Sequence, residues 1–413
     1  MTNKIIPFSP PRIDDKIINE VVDALESGWI TTGPRTKLFE SKLADYCGVD
    51  KVLAVNSWTT GAELVLYWFG IREGDEVIVP VYTYCATANI VRHRGAKVIM
   101  VDVSSDFGID VSKIEPYITE KTKAIIPVDV GGLPVNYEEI RNIVNKPSVR
   151  SKFNPTTEVQ KQLGRILILS DAAHSFGAKY KGKKIGSKAD FTVFSFHAVK
   201  NLTTAEGGAI CINMPAPFDN EEIYNRLNTL SLHGQNKDAL AKYQIGNWEY
   251  DVIDAGFKCN MTDILAAIGL IELDRYDDET LSRRKEIFQK YTEALNKYDW
   301  AITPLFIDEN RETSYHLYLL RIKDVTLEER NLIIQEIFGQ NVSVNVHYKP
   351  LPLLSYYQGL GYNLDEYPMA KALWECEISL PVYYDLSDED VDTVIASVVK
   401  AVEKIKSGDE KNI

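Results

Sequence analysis

The chain has 413 residues, 45% of them hydrophobic and 25% charged, the balance of a soluble globular protein with more than one core. A formal net charge of −13 removes any general attraction to nucleic acid or an anionic membrane surface, while leaving room for a small anionic substrate in a locally basic pocket. Five dispersed cysteines without a CxxC pair argue against a disulfide framework or a zinc site, so no metal is expected and a reducing compartment is.

The opening MTNKIIPFSPPRIDD has no signal-peptide core, and no apolar run approaches membrane-spanning length, so a cytoplasmic protein is expected. Ile13, Ile17, Val21 and Leu25 recur every four residues and predict one apolar face of an N-terminal helix, with Gly28 as its stop. From about 36 to 215, strand-like and helix-like segments alternate. KVLAV (51–55), EVIV (76–79), KVIMV (97–101), 124–128, RILIL (165–169), 191–196 and 209–212 read as strands, with helices over 60–71 and 86–94. Short β-branched runs separated by helices predict a mostly parallel sheet covered on both faces. The polar stretch 146–164 interrupts the alternation and reads as a surface loop or excursion. Residues 261–296, with Ile264, Leu265, Ile268 and Ile271 on one side, predict one or two helices bridging to a second unit. There, strand-like runs at 315–322 and 342–347 and a closing helix over 388–405 predict a smaller α+β domain. The expected division is an N-terminal arm and helix (1–27), a large α/β domain (28–274) and a small C-terminal domain (275–413).

Ligands of parallel α/β sheets bind beyond the carboxyl ends of the strands, and several polar residues fall there. Asp171 follows RILILS; Ser195, His197 and Lys200 follow FTVF; Tyr84 follows EVIVPVYT; Trp58 and Thr59 lie between KVLAV and its helix. Each has an ordinary structural explanation: a helix cap for Asp171, local backbone bonds for Ser195 and Thr59, a satisfied core histidine for His174, packing for Tyr84. Together they match the needs of pyridoxal phosphate. That cofactor needs a lysine amine (Lys200), an acid that keeps its ring nitrogen protonated (Asp171), and phosphate donors at a helix start (Trp58-Thr59, with Ser195). It also needs an aromatic face, for which Tyr84 serves. A snorkelling surface lysine would leave Gly207-Gly208 unexplained, since glycine permits the close backbone approach a ligand site requires.

The motifs GWITTGP, FESKLADYCG, GDEVIVP, DAAHSFGAKYKGKKIG, FSFHAVKNLTTAEGGA, GFKCNMTDILAAIGL, VHYKPL and ISLP occur in order along nearly the whole chain. In them the sequence resembles the pyridoxal-phosphate-dependent sugar aminotransferases, which have the aspartate-aminotransferase fold (fold type I) and act as homodimers with sites between subunits. The resemblance implies Lys200 as the Schiff-base lysine, Asp171 as the pyridinium partner and Tyr84 as the stacking aromatic. It implies Thr59 and Ser195, with the backbone of Trp58, as phosphate ligands, and His174 beside the cofactor ring oxygen. Asn260 would reach the phosphate of the other subunit's cofactor, although asparagine there is equally suited to cap the following helix. Thr31, His197, His316, His347 and Tyr348 would line the substrate side. Two features depart from the pattern: Trp58 stands where a small residue is usual, and the 146–164 loop is long enough to alter substrate choice if it lies near the sugar. KNLTT-x-EGG with its preceding histidine is similar to members that aminate C4, and Lys200 itself argues against the dehydratase branch.

The expected activity is therefore transfer of an amino group from L-glutamate to a nucleotide-linked keto-sugar at C4, in amino-sugar biosynthesis for polysaccharide, glycan or antibiotic. Transamination of a free cyclic ketone such as a keto-inositol is the alternative of the same class. A cofactor-binding regulator without turnover is the alternative of another class.

Overall fold

The computed structural model describes residues 4–236 and 249–408. The β-branched runs form β1 (Lys51–Val55), β2 (Glu76–Pro80), β3 (Lys97–Val101), β4 (Thr122–Ile125) and β5 (Leu167–Asp171). A small hairpin of β6 (Lys179–Tyr180) and β7 (Lys183–Lys184) precedes β8 (Phe191–Ser195) and β9 (Gly208–Ile212). The large strands make one seven-stranded sheet in the order β1-β9-β8-β5-β4-β2-β3. Pairings from β8 through to β3 are parallel, and β9 alone runs against both of its neighbours, β1 and β8. The central strands β2, β4, β5 and β9 are buried throughout, which is why they read as unbroken apolar runs. This arrangement brings the carboxyl ends of β1, β2, β5 and β8, with the start of β9, to one edge.

Two devices fix that edge. At the opposite end of the sheet, Arg165 and Asp190 form a buried bidentate pair, each N–O distance 2.7 Å, and Asp190 also accepts the Ile168 amide at 2.9 Å. This pair locks β5 to β8. Removing one partner from such a buried pair typically costs about 3–5 kcal/mol, so the relative height of Asp171 and Lys200 is firmly held. At the near edge, the helix Trp58–Phe69 begins two residues earlier than the sequence suggests. Ser57 caps it by accepting the Thr60 amide, and Gly70, at φ 81°, ends it.

A second core surrounds an antiparallel sheet of β10 (Ala301–Ile302), β12 (Tyr318–Ile322) and β13 (Glu377–Leu380), covered by the helices Ser282–Leu295, Leu327–Phe338 and Asp388–Ser407. Between β10 and β12, β11 (Arg311–Glu312) adds to the small β6-β7 hairpin. Leu351, Tyr357 and Leu373 pack with the first core, while Ile6 of the N-terminal arm is buried in the second.

Several expectations need correction. The N-terminal helix spans Asp15–Glu26 with Gly28 just past its end at φ 73°, but it buries Ile17 and Ala24, leaving Ile13 and Leu25 more than half exposed. Ile13 precedes the N-cap Asp14 and so lies outside the helix. A four-residue repeat drifts around a 3.6-residue helix by roughly 40° per step, which turns Leu25 away from the face that buries Ile17. Of the two readings of 146–164, the segment is an excursion with helices of its own and not a plain loop. It contains the helices Pro147–Arg150 and Glu158–Leu163, with Val149, Phe153 and Leu163 buried and Gln160 donating to the Phe69 carbonyl at 3.0 Å. Residues 342–347 make only isolated bridges, Ile6 to Val342 and Asn345 to Ser379, because the chain turns away from the ladder into the wall of the cavity described next.

Asp263 was not singled out by its sequence, yet it organises the turn before the helix Pro34–Cys47. Its buried carboxylate accepts the amides of Gly33, Arg35 and Thr36 at 2.8, 3.0 and 2.9 Å and the Thr36 hydroxyl at 2.7 Å. Gly33, the N-cap of that helix, has no side chain to do this, so a residue distant in sequence supplies the cap. The helix that follows Asn260 starts at Asp263 with Thr262 as N-cap, so Asn260 is not a cap. Its amide donates instead to the Thr32 hydroxyl at 2.6 Å, and its carbonyl accepts from Lys258.

Candidate active site

A cavity of about 350 Å³ opens at the carboxyl edge of the large sheet. Asp171, the last residue of β5, lies in its wall almost wholly buried. Its Oδ2 accepts from Thr87 Oγ1 at 2.8 Å and its Oδ1 from the Ala173 amide at 3.2 Å. Burial pushes the carboxyl up to about 6, against the opposing pull of Thr87, Ala173 and the Lys200 ammonium. Lys200 follows β8 in a turn closed by its own amide donating to the His197 carbonyl at 2.9 Å. Its surroundings pull the ammonium down to about 8 by desolvation, with Asp171 acting to hold it up. The lysine is therefore set into the cavity with a carboxylate as its charge partner.

Across the cavity lies the start of the helix Trp58–Phe69. Ser57 occupies the Thr60 amide, and the amides of Trp58 and Thr59 have no acceptor among the described residues. Two free N–H groups at the positive end of a twelve-residue helix form a cradle for an anion. Gly208 is required by this turn: a Cβ there would lie 2.6 Å from Ser57 C and 2.7 Å from Trp58 N. The glycine pair thus permits approach to the backbone of the cradle, one step removed from the direct ligand approach expected of it. Ser195, opposite Gly208 in the ladder, faces the same space and accepts the His197 amide at 3.4 Å. Trp58 buries its ring, and its indole N–H has no acceptor among the described residues.

The other walls are aromatic. Tyr84, N-cap of the helix Cys85–His93, is 59% exposed, and its ring centroid lies 5.8 Å from that of Tyr348. The Gly131 amide donates to His174 Nδ1 at 3.2 Å, so His174 Nε2 carries the proton and donates to Tyr348 Oη at 2.8 Å. Burial, with Lys200 nearby, holds that imidazole neutral. His316 packs on His174 at 4.4 Å and bonds Asn201 Oδ1 through Nδ1 at 2.7 Å. His347 also lines the cavity, and exposed His197 stands at its rim, 3.6 Å from Glu206.

The structure thus gathers Trp58, Thr59, Tyr84, Asp171, His174 and Ser195 with Lys200, and places His197, His316, His347 and Tyr348 around the same space. Thr31 and Asn260 lie outside the cavity wall of this chain, and no residue of 146–164 reaches it. Ser57, Thr87 and Phe8 were not anticipated. Ser57 was readable as a helix cap and Thr87 as one turn beyond Tyr84. Phe8 arrives from the N-terminal arm and left no local signal.

The sequence matches the DegT/DnrJ/EryC1/StrS aminotransferase family over residues 11–151 and 152–399. The chain belongs to this family. This aminotransferase is 36% identical, over 96% of its length and 97% of the relative's, to the spore coat polysaccharide biosynthesis protein SpsC of Bacillus subtilis. It is 33% identical, over 97% and 99%, to the UDP-4-amino-4-deoxy-L-arabinose–oxoglutarate aminotransferase of Shewanella sediminis. Among solved structures, the PMP form of Spr1654 from Streptococcus pneumoniae, assigned as a sugar aminotransferase, superposes with a TM-score of 0.93. That match has 48% identity and covers 97% of this chain and all of the other; a PLP form of the same protein also matches. The protein is a pyridoxal-phosphate-dependent transaminase with the aminotransferase fold.

The residues present fit that cofactor. The free amides of the helix start suit a phosphate dianion, Asp171 suits a protonated ring nitrogen, and Lys200 is the amine within the same walls. A lysine held down to about 8 has a consequence for cofactor capture. Covalent uptake of pyridoxal phosphate by the cofactor-free protein, followed by visible absorbance, should accelerate with pH around a midpoint near 8. A midpoint close to the ~10.4 of free lysine would show that the cavity does not depress it.

Proposed function

We propose that this transaminase moves the amino group of L-glutamate to C4 of a keto-sugar carried on a nucleotide. The observation that carries the reading is Lys200 and Asp171 sharing one cavity with the unpaired amides of the helix Trp58–Phe69. Bound pyridoxal phosphate supplies an electron sink for the carbanion left when the α-proton is removed. The chain does the rest. Asp171, anchored by Thr87 and Ala173, would hold a proton at the ring nitrogen. The helix amides, Thr59 and Ser195 would hold the phosphate, Tyr84 would supply an aromatic face, and Lys200 Nζ would hold the cofactor and carry the proton released from the donor. His174, neutral and hydrogen-bonded on both nitrogens, fixes the Tyr348 hydroxyl in the cavity wall. Residues 28–274 would supply most of this, with 275–413 closing the substrate side through His316, His347 and Tyr348.

The names of the relatives support a sugar substrate: one concerns a coat polysaccharide, the other a nucleotide-linked amino-sugar. A panel of nucleotide-linked and free cyclic ketones with L-glutamate, products located by NMR, tests this. Amination of a nucleotide-linked 4-keto-sugar is expected. Preference for a free ketone would move the enzyme to the keto-inositol type, and an absence of turnover with every donor would leave a cofactor-binding regulator.

Thr31 and Asn260 stand outside the chain's own cavity, which supports a shared site in a homodimer. Under that proposal, Lys200→Ala and Asn260→Ala proteins, each impaired, regain activity when mixed and allowed to exchange subunits. Exchange without any gain, or an active monomer, would remove the shared-site reading.

A further inference from the structure

A buried hydrogen-bonded chain runs from β13 to His347 in the cavity wall, and the reaction described above makes no use of its two inner members, Glu377 and Ser379. Glu377 is wholly buried. Its Oε1 lies 2.5 Å from Ser379 Oγ, and its Oε2 accepts the amide of His347 at 3.0 Å. Ser379 Oγ lies in turn 2.8 Å from His347 Nδ1. Reciprocal backbone bonds between Asn345 and Ser379, 2.8 and 3.1 Å, pin this segment to β13, and Phe8 stacks on the imidazole at 5.5 Å and 22°. The ring is therefore fixed with Nδ1 toward Ser379. Nε2, without a partner among the described residues, is left for the cavity.

A serine hydroxyl between a carboxyl group and an imidazole has one proton to give, so the proton on Glu377 settles the direction of the whole chain. When Glu377 is ionised, Ser379 donates to it and accepts from His347 Nδ1–H, and Nε2 offers the cavity a lone pair. When Glu377 is neutral, it donates to Ser379, Ser379 donates to Nδ1, and Nε2–H faces the cavity. We propose that Glu377 and Ser379 are positioning residues that set the tautomer of His347, changing its cavity face from donor to acceptor as Glu377 ionises.

The surroundings place that change within reach of ordinary pH. Among the described residues no cation pairs with the Glu377 carboxyl: Arg330 gives its Nη1 to the Glu377 backbone carbonyl at 3.1 Å instead. Tyr82, Tyr348 and Cys376 are the other titratable groups close to it, and Arg321 stands opposite on β12. Burial accordingly pushes the carboxyl up to about 8, with Ser379, the His347 amide and Arg330 opposing. Burial and Lys200 keep His347 itself uncharged, so its response is a move of one proton between ring nitrogens. If the cavity is the active site proposed above, His347 meets a carboxylate or carbonyl oxygen as a donor below that pH, and a hydroxyl as an acceptor above it. A transaminase pocket must receive both kinds of ligand in turn.

The test is NMR of the cofactor-loaded enzyme carrying nitrogen-15-labelled histidine, with His347→Gln identifying the signal. The proton should sit on Nε2 at about pH 6.5 and on Nδ1 by about pH 9.5, the ratio of tautomers changing by more than about tenfold. Ser379→Ala and Glu377→Gln should both abolish the change. If Glu377→Gln does not fold, Ser379→Ala carries the test alone. A wild-type ring that keeps one tautomer over this range, or a change that persists in Ser379→Ala, overturns the proposal. Because the signal needs no turnover, this outcome stands apart from whether a nucleotide-linked sugar proves to be the substrate.

Discussion

Lys200→Ala should lower transamination by at least ~10³-fold, the scale of a lost proton-transfer group, and should leave bound cofactor free to diffuse away. Lys200→Arg should do the same despite keeping the charge, because guanidinium stays protonated and cannot act as the amine. The two variants separate chemistry from packing. Neither should unfold the protein: a lysine whose ammonium the fold holds down to about 8 adds nothing to stability at neutral pH. The sign follows from linkage, since a depressed pKa gives stability only while pH lies above it. Single-turnover assays with added amino donor measure the effect. A rate within tenfold of wild type in either variant would mean that another lysine carries the reaction.

Asp171→Ala should lower turnover by ~10²–10⁴-fold and weaken cofactor binding, because an unprotonated ring withdraws electrons poorly. Asp171→Asn keeps the shape and the bond from Thr87 but cannot hold a pyridinium proton, and should be nearly as impaired. Stability should move the other way. Burial raises the Asp171 carboxyl to about 6, so its stabilising contribution belongs to pH values below its usual ~3.9 and is lost as pH rises through 6. The cofactor-free Asp171→Asn protein should therefore unfold no more easily than wild type at pH 7.5. Near-normal rates in the asparagine variant would contradict the electron-sink role.

How much of this was legible in the sequence depended on whether the physics was local. The buried strands were, because continuous β-branched runs announce a parallel sheet, and so were Lys200, Asp171 and Trp58-Thr59, because they follow those runs directly. Elements set by distant partners were not. Asp263 caps a helix more than two hundred residues earlier in the chain, and nothing at its own position shows it. The 146–164 segment looked like a loop because its helices are only four and six residues long and one of its four buried side chains, Gln160, is polar. His347 and Ser379 meet only because the chain leaves β13's ladder after Asn345, a turn of tertiary origin. The N-terminal helix shows the reverse error, a regular local pattern of which the three-dimensional packing fully buries Ile17 and leaves Ile13 and Leu25 exposed.

The central claim is that Lys200 is the amine that holds pyridoxal phosphate. Borohydride treatment of the cofactor-loaded enzyme fixes the cofactor permanently to whichever lysine holds it, and peptide mass spectrometry then locates the added mass. The mass should appear on the peptide containing Lys200, in near-stoichiometric amount, and should be prevented by prior addition of amino donor. Labelling at another lysine, or no stable label on a protein that retains activity, would contradict the claim.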